Sequence, residues 1–189
     1  PPMSARRQRQ MCIRDRLAGG KGTRMLSQKA KVLQALGGRT MLNHVLTTAN
    51  KISNKISVVV GFDKEGVEEE IKKIGINVNT YLQKEQIGTA DAVKTTLKDI
   101  DKNEKILILY GDVPLIKEET LKKLCNQESD LSILTTNLEN PTGYGRALKD
   151  KENNVLGIIE EKDADLEQKK IKEIFTGILF IKGLSLIHI

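Results

Sequence analysis

The chain has 189 residues, 30% of them charged, a formal net charge of +6 and only 3% aromatic side chains. Most of that net charge sits in the first sixteen residues, where Arg6, Arg7, Arg9, Arg14 and Arg16 face Asp15 alone. The remainder carries no basic stripe and too few aromatics to stack bases, which argues against a nucleic-acid partner. No apolar run approaches the ~18 residues of a spanning helix, which argues against a membrane. Cys12 and Cys125 give neither metal-ligand spacing nor a disulfide framework, a usage that suits a reducing cytoplasm.

In chain order, residues 1–16 have no apolar core of the ~7 residues or more that a signal peptide needs. Residues 17–25 form a glycine-rich stretch, and such a loop is normally fed by a buried parallel strand of Val, Ile and Leu. Here Ile13-Arg14-Asp15-Arg16 stands in the feeding position. Residues 11–16 resemble translated sequencing adapter, as do residues 184–189. Both tails are therefore expected to be non-native, with residues 1–16 mobile or at a sheet edge and one domain, cut at both ends, spanning 17–183.

The stretch Leu17-Ala18-Gly19-Gly20-Lys21-Gly22-Thr23-Arg24-Met25, followed by Lys31, has the composition of a phosphate loop. Glycines let backbone N–H groups approach an anion, and the cations supply compensating charge. It is not Walker A, which needs Ser or Thr where Gly22 stands, nor the dinucleotide fingerprint, which needs glycine at Met25.

After Gly37-Gly38, the residues Met41, Leu42, Val45, Leu46 and Ala49 share a helical face. Ile56 to Val60 read as a buried strand. Val67, Ile71 and Ile74 mark a second helix, with Glu68/Lys72 and Glu69/Lys73 as i,i+4 pairs. Residues 77–82 read as a strand, 89–97 as a helix, 106–110 as a strand stopped by Gly111-Asp112, 118–125 as a helix and 131–136 as a strand. Alternation of this kind predicts an α/β fold with a mostly parallel sheet. Beyond Pro141 three strand-like runs, 146–148, 155–159 and 174–181, predict a small mixed or antiparallel β extension.

Ligands of open α/β sheets bind outside the carboxyl ends of the strands. Asp112 at such an end is a candidate Mg²⁺ ligand, since Mg²⁺ takes one or two protein carboxylates beside substrate phosphates; an Asx turn or helix cap before Val113-Pro114 explains it equally well. Gln83, Gly88 and Thr89 suit the polar edge of a base or, more simply, a capped helix start. His44 and His188 form no catalytic dyad.

Five motifs occur in one order: Leu17 to Met25 with Lys31-Val32-Leu33; Glu85-Gln86-Ile87-Gly88-Thr89-Ala90; Tyr110-Gly111-Asp112-Val113-Pro114-Leu115; Asn140-Pro141-Thr142-Gly143-Tyr144-Gly145-Arg146; and Ile159-Glu160-Glu161-Lys162-Asp163. Together they resemble the uridylyltransferase domain of the bacterial bifunctional N-acetylglucosamine-1-phosphate uridylyltransferase/glucosamine-1-phosphate acetyltransferase family. The resemblance implies a Rossmann-like nucleotide-diphospho-sugar transferase fold, with UTP and N-acetylglucosamine 1-phosphate as substrates and Mg²⁺ as cofactor. It implies that Leu17, Ala18, Gly19 and Gly20 hold the uracil end, that Arg24 and Lys31 face the phosphates as the catalytic pair, and that Gln83, Gly88 and Thr89 complete base recognition. Tyr110, Gly111 and Asp112 would lie along the ribose and metal, and Gly145, Glu160 and Phe175 on the amino-sugar side.

Two departures from the family pattern lie within the chain. Ala30 stands where the family has proline, and Phe175 replaces an asparagine beside the sugar, removing an amide contact. The resemblance also places a second metal-binding asparagine and a trimerising C-terminal β-helix beyond residue 183. Alternatives to the leading function are another sugar-1-phosphate nucleotidyltransferase and an inactive nucleotide-binding fragment.

Overall fold

A computed structural model describes residues 11–16, 29–83, 89–96 and 104–182, with side chains throughout except at 11–16 and 89–91. Among these the strands are β1 (Met11–Arg16), β2 (Ala35–Leu36), β3 (Arg39–Thr40), β4 (Lys55–Val60), β5 (Val78–Leu82), β6 (Lys105–Tyr110), β7 (Leu131–Asn137), β8 (Arg146–Lys149), β9 (Val155–Ile159) and β10 (Glu173–Lys182). The α-helices are α1 (Met41–Asn50), α2 (Lys64–Ile74), α3 (Thr89–Lys94) and α4 (Glu118–Cys125). The chain divides into two compact units, residues 1–132 with 180–189, and residues 133–179.

In the first unit, β5, β4, β1 and β6 follow one another side by side, all parallel. Their hydrophobic logic is plain in β4 and β6: Ile56, Val58, Val59, Val60, Ile106, Leu107, Ile108 and Leu109 are all buried, as expected of strands covered on both faces. Helix α1 buries Leu42, Val45, Leu46 and Ala49, the face its apolar spacing predicts. Thr40 caps it by accepting the Asn43 N–H at 3.1 Å. Helix α2 buries Val67 and Ile71 and ends on Gly75 at φ 74, the left-handed conformation in which glycine carries no Cβ penalty. On its wet side the Glu69–Lys73 pair forms at 2.9 Å. The expected Glu68–Lys72 pair does not, because Glu68 turns to Lys64 at 3.7 Å and accepts the Thr80 hydroxyl at 3.3 Å.

The expectation for the amino-terminal segment is overturned. Residues 11–16 are neither loose nor at an edge: β1 lies between β4 and β6, pairing Cys12 to Arg16 with Lys55 to Val59 and Met11 to Arg16 with Lys105 to Tyr110. The physical reason is that a ladder is made by backbone N–H and C=O groups, which any residue but proline supplies. Two apolar strands with facing edges accept a backbone between them even when its sequence is charged.

In the second unit β8 pairs antiparallel with both β9 and β10, and β7 pairs with β10, matching the predicted antiparallel character. Strand β10 crosses the unit boundary. Its last residues belong to the first unit, where Phe180 and Ile181 are fully buried and the Lys105 ammonium lies 5.5 Å from the Phe180 ring centre. The β2–β3 hairpin, whose turn is Gly37-Gly38 at φ 60 and 81, is not among the elements expected from sequence. Two consecutive positive φ values are what a two-residue hairpin turn demands and glycine permits.

Candidate active site

The register of β1 fixes where the glycine-rich stretch begins: the chain leaves the strand at Arg16, paired with Tyr110. Leu17, Ala18, Gly19, Gly20, Arg24 and Gly88 lie outside the described residues, as does the side chain of Thr89, whose backbone opens α3. Two candidates from distant parts of the sequence do meet. The Lys31 ammonium donates to the Asp112 carboxylate at 2.8 Å.

Each partner is placed by local structure. Asp112 sits in the turn that ends β6, closed by the Val113 N–H donating to the Tyr110 carbonyl at 3.2 Å. Lys31 opens a single 3-10 turn, Lys31–Leu33, pinned into the core by Val32. Ala30, just before it, is buried and donates its N–H to the Asp63 carboxylate at 3.0 Å. Asp63 is itself unusual: it caps α2 from a left-handed backbone, φ 55 and ψ 45, and accepts the Gly66 N–H at 3.2 Å.

Gln83 follows β5 and is buried, its N–H donating to the Val60 carbonyl at 2.8 Å. Its side chain is therefore part of the strand-end wall rather than a solvated loop. His44 contacts the Leu36 carbonyl at 2.8 Å on the hairpin, and His188 lies outside the described residues.

Within the second unit, Gly145, Glu160 and Phe175 converge. The Phe175 N–H donates to the Gly145 carbonyl at 2.9 Å, and a Cβ on Gly145 would lie 3.0 Å from Ile158 and 3.5 Å from both Glu160 carboxylate oxygens. The tight neighbour is the Ile158 side chain, and the Glu160 oxygens lie at ordinary contact distance. Arg146, wholly buried despite its charge, braces the surrounding loops. Its guanidinium donates to the Tyr144 carbonyl and, at 2.6 Å, to Glu161, which also accepts the Gly143 N–H at 3.2 Å. These contacts, the Arg146 bond first and the Gly143 amide second, hold the Glu161 carboxyl below the usual range. Arg146 and Glu161 lie inside sequence motifs without an expected role, and Asp63 lies in none of them. An acidic residue three positions before a glycine at a helix start is the one local signal that marks Asp63 as a cap.

The residues fit a magnesium ion in a limited way. Beyond Lys31, Asp112 has no hydrogen-bond partner among the described residues, and no cluster of three His, Cys, Asp or Glu suited to a metal occurs among them. A single carboxylate completed by substrate oxygens is a donor set Mg²⁺ accepts, unlike a closed protein cage.

Comparison with known proteins agrees with this geometry. Residues 17–164 match the MobA-like NTP transferase domain family. The chain is 47% identical to the bifunctional protein GlmU of Thermosipho melanesiensis over 176 residues, covering 91% of this chain and 38% of that protein. It is 45% identical to the bifunctional protein GlmU of Ruthia magnifica over 167 residues, covering 87% of this chain and 36% of that protein. It therefore spans well under half the length of these relatives. A crystal structure of a putative glucose-1-phosphate thymidylyltransferase from Bacillus anthracis, in complex with a sucrose, shares the fold with a TM-score of 0.72 at 16% identity, over 95% of this chain and 73% of that one. A nucleotidyltransferase-like α/β fold, a cation and a carboxylate meeting at the end of a parallel strand, and close similarity to the GlmU sequences lead to one assignment: the chain belongs to the MobA-like NTP transferase family, as a nucleotidyltransferase domain of the GlmU kind.

Proposed function

We propose that this domain transfers a uridylyl group from UTP to N-acetylglucosamine 1-phosphate, releasing pyrophosphate and forming UDP-N-acetylglucosamine, a precursor of peptidoglycan and lipopolysaccharide made in the cytoplasm. The observation that carries the reading is the 2.8 Å contact of Lys31 with Asp112, which brings a phosphate-facing cation to a metal-binding carboxylate.

An oxygen of the sugar phosphate attacks the α-phosphorus of UTP, a P–O bond forms, and the bond to the β-phosphate breaks as pyrophosphate leaves. The nucleophile is already ionised, so no general base is needed. Positioning and charge neutralisation therefore supply most of the rate. Lys31 and Arg24 neutralise the phosphate oxygens, Leu17 to Gly20 with Gln83, Gly88 and Thr89 hold the base, and Tyr110 and Gly111 border the ribose. Mg²⁺ held at Asp112 would supply further charge neutralisation on the triphosphate. Gly145, Glu160 and Phe175 face the amino sugar, with Phe175 offering no amide.

On this reading the chain binds UTP better than it binds the sugar phosphate and turns over slowly, because a lost hydrogen bond in a buried site costs about 1 to 3 kcal/mol. Calorimetry with each substrate in the presence of Mg²⁺, followed by a pyrophosphate-release assay, tests it. Absence of UTP binding would refute it, and tight sugar-phosphate binding without nucleotide would show that Phe175 has been misassigned.

A further inference from the structure

Lys31 stands on a short 3-10 turn, and one such turn with three residues does not hold a long side chain in place by itself. What fixes it is the residue before. Ala30 is buried, and its N–H is anchored by the Asp63 carboxylate at 3.0 Å across thirty-three positions of sequence. Asp63 reaches it from a left-handed backbone, a conformation that is strained for a residue other than glycine. Gly66 completes the arrangement. A Cβ there would fall 2.5 Å from the Asp63 Oδ1 atom, so only glycine lets the carboxylate sit where it does. A strained aspartate, a glycine that clears room for it and a buried amide donor thus converge on the residue that precedes Lys31.

We propose that Asp63 is a positioning residue for Lys31: through the Ala30 N–H it fixes the origin of the lysine side chain and so the place of its ammonium beside Asp112. This rests on the nucleotidyl-transfer reading, in which Lys31 faces the phosphates. Ala30 adopts φ −55 with an extended ψ of 142, a φ within the range that a proline ring imposes. There are consequently two ways to hold residue 30, a hydrogen bond from its N–H or a ring that sets φ without one, and this chain uses the first.

The test uses the full chain with UTP, and with uridine as a probe that has no phosphate for Lys31 to meet. Asp63→Gly removes the carboxylate and relieves the left-handed strain, so the fold is retained while the anchor is lost. UTP affinity should fall about tenfold with uridine affinity unchanged, and Gly66→Ala should do the same by displacing the carboxylate. Adding Ala30→Pro to Asp63→Gly should restore UTP affinity, a rescue that a merely structural role for Asp63 would not give. Unchanged UTP affinity in Asp63→Gly, equal losses for UTP and uridine, or failure of the proline rescue would each overturn the assignment. A parent chain that binds uridine but not UTP would overturn the nucleotidyl-transfer reading, and the role of Asp63 with it.

Discussion

The Lys31 and Asp112 side chains are 41% and 29% exposed, so water screens their attraction and the pair adds no more than about 1 kcal/mol to stability. Its importance lies in what it presents to a ligand. Asp112→Asn should leave the melting temperature within a few degrees while lowering UTP affinity about tenfold in Mg²⁺ and by much less in its absence; an equal loss in both conditions would contradict the metal role. Glu161 shows the opposite balance. Its folded carboxyl lies below the ordinary range because Arg146 and the Gly143 amide hold it ionised. Its contribution to stability is therefore complete above the ordinary carboxylate value and disappears as the pH falls through the lowered folded value. Glu173, held by Lys149 and then Thr135, behaves alike. Acid titration of the unfolding free energy should show a loss as the pH falls below the ordinary carboxylate range, and Glu161→Gln should reduce it. Of the residues that matter here, Asp112 was legible because it ends an apolar run. Asp63 and Arg146 were not, because the first acts through a backbone amide thirty-three positions away and the second is a charge buried by partners that no local pattern discloses.

Helices and the apolar strands follow their sequence closely, α4 to the residue and α1 on its predicted face, because burial of one face dictates their spacing. Strand β1 does not. Its place between β4 and β6 is set by what those neighbours require, and a strand inserted by backbone pairing has no obligatory hydrophobic signature. At the opposite ends of these strands from Asp112, Lys55 opening β4 donates at 2.6 Å to Glu104, which is almost fully buried just ahead of β6 and whose second carboxylate oxygen has no partner among the described residues. Lys55→Met should destabilise the protein by about 2 to 3 kcal/mol, since it deprives a buried carboxylate of its counter-charge. Lys55→Met with Glu104→Leu should recover most of that loss. Urea denaturation of the single and double variants reads both numbers, and an additive double variant would show that the two side chains do not act as a pair.

At the scale of the molecule, the first unit is assembled from two separated lengths of chain, residues 1–132 and 180–189, with the second unit, residues 133–179, inserted between them. Phe180 and Ile181 are buried components of the first unit even though they follow the whole of the second. Synthesis on a ribosome runs in one direction, and domains generally fold as units when their chain emerges. The first unit therefore has to wait: its parallel strands leave the exit tunnel early, yet its core stays open until the strand after residue 179 has been made, and the contacts that close it span a large separation in sequence and form slowly. The inserted unit, being continuous, has no such delay. Chains stopped at residue 179 should give a non-cooperative melt and bind a hydrophobic dye, whereas chains stopped at residue 183 should melt in a single transition. During translation, the core of the first unit is thus closed by residues made only after the whole of the second unit.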